Sequence, residues 1–178
     1  MAGTPPVEAR YSTLHNASMA LFSLVMIVVA IVHFATNPAN APTLSLNDPR
    51  FVLFSLLGLA MLYYVYLGVS RTLNRQPQLV ICQDGIRLGF GRDRRIAWDD
   101  IVWVRLRRLE LRPQLEIGLA QQAFIEANLR LATWSFDDAL RPVRGQPTTL
   151  LVRDNGLDTK AAAMLDAVRA FRPNLVKP

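Results

Sequence analysis

Arginines dominate the part of this chain that could do chemistry. Arg92, Arg94 and Arg95 crowd one turn, and Arg105, Arg107, Arg108 and Arg112 follow on the next strand pair. A guanidinium binds carboxylates and phosphates through paired donors. The chemistry on offer is therefore contact with anionic lipid headgroups or with an acidic protein surface. A solvated face, neutralised by Asp93, Glu110 and Glu116, is the other reading. Of these positions Arg92, Arg94, Arg105 and Arg107 are expected to form an interaction surface and to contribute little to folding. Nucleic acid is not an expected partner: Trp103 interleaves with Arg105 and Arg107, but the aromatic stacking platform is too sparse.

Nothing else in the chain resembles a catalytic constellation. Cys82 is the single cysteine, which excludes an internal disulfide and a cysteine-based zinc cluster. It sits in the apolar stretch LVICQ and reads as a buried, inert thiol. The two histidines, His15 and His33, lie far upstream of it. No phosphate-binding loop, nucleotide-binding glycine pattern, metal motif or serine nucleophile elbow is present. Asp99-Asp100 and Asp137-Asp138 are adjacent pairs of the kind found in turns and caps. His33 is an ionisable group in an apolar run, which makes it a candidate ligand for a haem or chlorophyll. Lacking a second histidine, it reads more simply as an interfacial, hydrogen-bonded residue. No catalytic residue, metal or cofactor is expected.

Two uncharged apolar runs must position this chemistry, Ala17 to Phe34 and Phe51 to Val69. A helix needs roughly 20 mainly apolar residues to cross a bilayer, and both runs fit. They predict a transmembrane hairpin over residues 17–70, preceded by an N-terminal segment, 1–16, and followed by one domain, 71–178. The first run is longer than a signal-peptide core. Pro42 also follows the only cleavage-like site, Ala39-Asn40-Ala41, so the run reads as a retained anchor.

Charge orients the hairpin. Of the first seventy residues only Glu8, Arg10, Asp48 and Arg50 are charged, so the domain carries the entire net charge of +6. Arg71, Arg75 and Arg87 follow the second run, against Arg50 alone in the connecting loop. The positive-inside rule then places both termini in the cytoplasm. Tyr63, Tyr64 and Tyr66 fall where aromatic rings favour the headgroup level.

The domain reads as a small antiparallel sheet followed by a helix. Gln78 to Cys82 is a strand, and Asp84-Gly85 is a hairpin turn into Ile86 to Phe90. After the turn Gly91 to Arg94, Arg95 to Trp98 starts a third strand. In Ile101 to Arg108, Val102, Val104 and Leu106 face one side while Trp103, Arg105 and Arg107 face the other. Leu109 to Leu119 and Thr148 to Arg153 are further strands. Ala120 to Thr133 has helical spacing. Ser135 to Asp138 looks like the start of a short helix that Pro142 stops. A final helix is predicted with Asp158 as its N-cap and Ala161, Met164, Leu165, Val168 and Phe171 as its apolar stripe. Trp98 and Phe171 are expected in the core.

The opening P-x-L-V-I-x-x-x-G-I (Pro77, Leu79, Val80, Ile81, Gly85, Ile86), a basic turn and then R-I-A-W-D-D-I-V-W-V (Arg95 to Val104) carry a resemblance. It is to bacterial membrane proteins with a pleckstrin-homology-like domain after two transmembrane helices. The resemblance implies an α+β membrane protein, in which a hairpin precedes a small antiparallel sheet or barrel closed by a C-terminal helix. It implies a non-catalytic interaction or scaffolding role, with no catalytic residues to transfer. The location it implies is a bacterial inner membrane. The expected partners are membrane lipids and another membrane protein or a second copy of the chain. A structural accessory subunit of a respiratory or photosynthetic complex is the alternative reading.

Overall fold

The computed structural model describes residues 5–89, 94–109, 112–121, 140–143 and 146–177. Of residues 94, 108, 109, 112, 140–143, 146 and 147 the backbone alone is described. All of the expected turn Gly91 to Arg94 except Arg94, which begins a strand, all of the expected helix Ala120 to Thr133 except its first two residues, and the whole Ser135–Asp138 helix start lie outside the described residues. The chain forms two compact units, Ser12–Arg75 and a second made of Met1–Tyr11 with Gln76–Pro178.

The first unit is a helical hairpin. Helix α1 spans Thr13–Thr36, and its N-cap Ser12 accepts a hydrogen bond from His15 N. Helix α2 spans Pro49–Leu73, with Pro49 in its first turn, where a missing N–H costs nothing. Both are long and apolar enough to cross a membrane, and little of either apolar stretch is buried. The helices meet through small side chains. A Cβ added to Gly68 would lie 2.6 Å from the Asn16 carbonyl oxygen and 2.7 Å from Ala20 Cβ. At the other end Phe34 and Phe54 meet edge to face, 4.9 Å between centroids.

The loop between the helices is held by its own polar groups. The Asp48 carboxylate accepts from Thr43 N (2.9 Å), Thr43 Oγ1 (2.8 Å) and Arg50 N (2.9 Å), closing the loop and capping α2. These bonds, led by the Thr43 hydroxyl, hold the Asp48 carboxyl below its ordinary range.

The second unit is α+β. Its first sheet has the order β1-β2-β3-β4, formed by Val7–Ala9, Leu79–Cys82, Gly85–Leu88 and Arg94–Ala97. Its second has the order β5-β6-β8-β7, formed by Ile101–Leu109, Arg112–Leu119, Gln146–Val152 and Leu140–Val143. All named pairings are antiparallel. The β2–β3 turn requires Gly85, whose φ is +141° and whose added Cβ would strike the Ile96 carbonyl. The closing helix α3 spans Ala161–Phe171 and buries Ala161, Met164, Leu165 and Val168 against both sheets' inner faces.

Several expectations change. The sheet does not close into a barrel among the described residues. The Trp98–Asp100 3₁₀ turn separates β4 from β5, so the sheets stay distinct. A bulge between Ile101 and Trp103 breaks the simple alternation of β5. Ile101 and Val104 are therefore buried while Val102 is 57% exposed. Pro142 ends no helix; it lies in the edge strand β7, where a missing N–H is tolerated. Asp158 does not cap α3. Its carboxylate accepts from Arg10 N, and Asp154 caps the helix instead through Ala161 N at 3.0 Å. Cys82 is half-buried, with Sγ 3.5 Å from the Gly85 carbonyl oxygen.

The N-terminal segment is part of this unit. Val7, Glu8 and Ala9 pair with Ile81, Val80 and Leu79. On the other side, Asp158 N donates to Arg10 O, the Thr159 hydroxyl donates to Glu8 O, and Tyr11 bridges to Leu157. Ala9 is a core residue, and Val7 and Tyr11 pack against the core.

Trp98 is buried, and its indole N–H donates to the carbonyls of Cys82 (3.1 Å) and Gln83 (3.0 Å). Its ring stacks on the partly buried Phe171 at 6.3 Å, joining the β4–β5 turn to the end of α3. Trp98→Ala should cost about 3–5 kcal/mol. Denaturant melts of the full-length protein in detergent check this; an unchanged midpoint would refute the packing of α3 on the sheets.

Candidate functional site

Strand β5 supplies the candidate surface. Its bulge sets Trp103, Arg105 and Arg107 on the face away from the core, opposite Gly118, Glu116 and Gln114 of β6. Glu116 is fully buried. Arg105 Nε lies 2.6 Å from Glu116 Oε2, and Arg107 Nη1 lies 3.1 Å from Oε1. Each guanidinium thus takes one carboxylate oxygen, and each side chain keeps about a third of its surface exposed.

Trp103 extends this row. A Cβ at Gly118 would run into its indole, so the missing side chain makes room for the ring across the ladder. Arg105 Cζ sits 4.7 Å from the ring centroid, in cation–π range. Lys177 Nζ is 5.9 Å away. The C-terminal tail brings it there, because Lys177 N donates to the Val104 carbonyl and Val176 bridges to Val104. Two arginines on the buried Glu116 carboxylate and a lysine beside Trp103 leave the row cationic. Guanidinium N–H groups that face outward can donate to an acidic group, while Arg105 Nε and Arg107 Nη1 donate inward to Glu116.

The expected basic surface is thus brought together in part. Arg105 and Arg107 are neighbours with a common partner. Arg94 lies on β4 opposite Leu88, in the other sheet, and its backbone alone is described. Arg92 lies outside the described residues. Arg95 is engaged elsewhere, 3.5 Å from Asp84 Oδ2. The pairing with Glu116 also gives Arg105 and Arg107 a structural task, against the expectation that they matter little to folding.

His33 lies in the last turn of α1, exposed, its ring 5.5 Å from that of Phe34. Among the described residues no three His, Cys, Asp or Glu side chains gather as a metal site.

The sequence reading missed the hub role of Glu116 and the contribution of Lys177. The first had a signal: Gln114, Glu116 and Gly118 alternate in β6 as the arginines do in β5. The tail's return to β5 had none. Compared with protein-family models, with curated proteins and with solved structures, the chain matches none.

Proposed function

We propose that this chain is a non-catalytic membrane protein, anchored by the α1–α2 hairpin, whose α+β domain serves as an interaction module. The observation that carries the reading is the surface of the hairpin. Leu21, Phe22 and Ile31 on α1 and Leu53, Leu56 and Leu59 on α2 are each more than 60% exposed. Exposed apolar area of this extent is covered by lipid or by another apolar surface in any stable protein. Every backbone group in the two spans can be satisfied within its own helix, as a bilayer demands.

The pairing of β1 with β2 supports one sidedness for both ends of the hairpin, because residues before α1 and after α2 share one sheet. The arginines after α2 favour the cytoplasm, and a bacterial inner membrane is the setting that the resemblance implies. The domain's order of two antiparallel sheets followed by a helix is compatible with a pleckstrin-homology-like module without barrel closure. The Trp103–Arg105–Arg107 row is the surface that would meet an acidic protein or an anionic lipid headgroup.

The test is made in a Cys82→Ser background, in intact cells and then in membranes washed with alkaline carbonate. The protein should stay with the washed membranes. An impermeant thiol reagent should label Asn40→Cys, in the exposed part of the loop, and spare Asn155→Cys until the cells are opened. Release by carbonate would refute the anchor; the reverse labelling would place the domain outside.

A further inference from the structure

We propose that Leu44 and Leu46, in the loop between α1 and α2, insert into the lipid leaflet at the loop end of the hairpin and form a second anchor beside the helices. The proposal rests on the membrane reading above. Leu44 is 92% exposed and Leu46 83%; among the large hydrophobic side chains described only Leu14 matches Leu46. The loop that carries them is folded. Asp48 ties both the backbone and hydroxyl of Thr43, Ser45 N donates to Thr43 O, and Asp48 N donates to Ser45 O. The two leucines are thus displayed on a short closed ring with no apolar neighbour to cover them.

The surroundings favour lipid as the occupant. From Asn37 to Asn47 the loop has no charged side chain. The one carboxylate at its end, Asp48, spends its oxygens on Thr43 and on the first turn of α2. Bringing this loop to the headgroup level therefore strands no carboxylate, and Arg50, exposed in the first turn of α2, has a long side chain whose charge can stay among the headgroups. Length agrees. With 24 and 25 residues, α1 and α2 each run for about 36–38 Å at 1.5 Å per residue. The hydrocarbon core is about 30 Å thick. The helices overshoot it by only a few ångströms at each end, which leaves the loop at the interface rather than far out in water. Ile31 and Leu53, within two turns of the loop on the flanking helices, are each more than 60% exposed as well.

Spin labels report the outcome. Single cysteines replace Leu44, Leu46, Asn40 and Val28 in the full-length Cys82→Ser protein. Each is labelled and reconstituted into phosphatidylcholine–phosphatidylglycerol vesicles. Collisions with oxygen, enriched in lipid, are compared with collisions with a water-soluble nickel chelate. The ratio at positions 44 and 46 should exceed that at Asn40 several-fold and approach that at Val28, the reference inside α1. Equal, chelate-accessible signals at 44, 46 and 40, with Val28 still in lipid, would overturn the loop anchor and leave the membrane reading standing. Labels at 44 and 46 shielded from both reagents would indicate a protein contact, which also overturns it. A Val28 label open to the chelate would overturn the membrane reading and the loop anchor with it.

Discussion

Replacing Arg105 and Arg107 together should strongly destabilise the domain, while replacing either alone should cost little. Each guanidinium holds one oxygen of the fully buried Glu116. After Arg105→Ala the Arg107 contact remains, and solvent screens both partly exposed arginines, so the loss should be about 1 kcal/mol. The double alanine variant leaves a buried carboxylate with neither partner, which typically costs about 3–5 kcal/mol. Reversing both charges to glutamate adds repulsion and should prevent folding. Denaturant midpoints of the four members of the cycle measure the coupling. Glu116→Gln in the double alanine background should recover part of the loss, because the amide carries no charge to strand. Additive single effects, or a double variant as stable as wild type, would show that Glu116 is held by something else. A charge-reversal test of partner binding at these positions would thus confuse unfolding with lost contact. Lysine replacements, which keep the charge but not the paired donors, separate the two.

A chain that begins at Gln76 should fail to hold the fold of the second unit. It lacks β1, and with it the buried Ala9, the partly buried Val7 and Tyr11, and the bonds from Asp158 and Thr159. Full burial of one medium apolar side chain contributes about 1.5–3 kcal/mol. Each hydrogen bond contributes about 0.5–1.5 kcal/mol. Their loss takes several kcal/mol from a stability that is only about 5–15 kcal/mol for a typical domain. It also opens β2 as an unprotected edge, which favours aggregation. Joining Pro5–Tyr11 to Gln76–Pro178 through an Asn-Gly turn should restore a soluble, cooperatively melting domain, since β1 and β2 are already antiparallel neighbours. Equal melting of the two chains would mean that β1 is dispensable.

What could be read from the sequence follows from periodicity. The uncharged runs marked α1 and α2, and the spacing of Ala161, Met164, Leu165 and Val168 marked the buried face of α3. Trp98 fell in the core as expected, because a large ring beside a tight turn has an obvious place to go. Strand β1 was not legible: three residues are too few for their alternation to stand out, and their partner lies some seventy residues away. The bulge at Val102 is a single extra residue that leaves the hydrophobic pattern looking regular. Pro142 signals a break in either a helix or a central strand, and local sequence does not show that β7 is an edge. Asp158 follows a turn and precedes an apolar stripe, the local pattern of a cap. It serves Arg10 instead, a partner that only the N-terminal segment supplies. In the candidate site, strand parity put Trp103, Arg105 and Arg107 on one face, but parity carries no information on how deeply Glu116 is buried beneath them.

The pairing of β1 with β2 sets an order of events during synthesis. The chain is made from its N-terminus, and β1 emerges first without a partner. Its neighbour appears only after both apolar segments have left the ribosome. If the hairpin spans a membrane as proposed, the domain cannot complete its first sheet until the hairpin has been threaded and the chain has come back. A molecule that inserted only α1 would strand β1 and the rest of the sheet on opposite sides of the lipid. It would present an unfinished edge at β2 to the cell's proteases and chaperones. On the membrane reading, correct integration would in this way be a precondition of folding, with the small N-terminal strand as the part that depends on it.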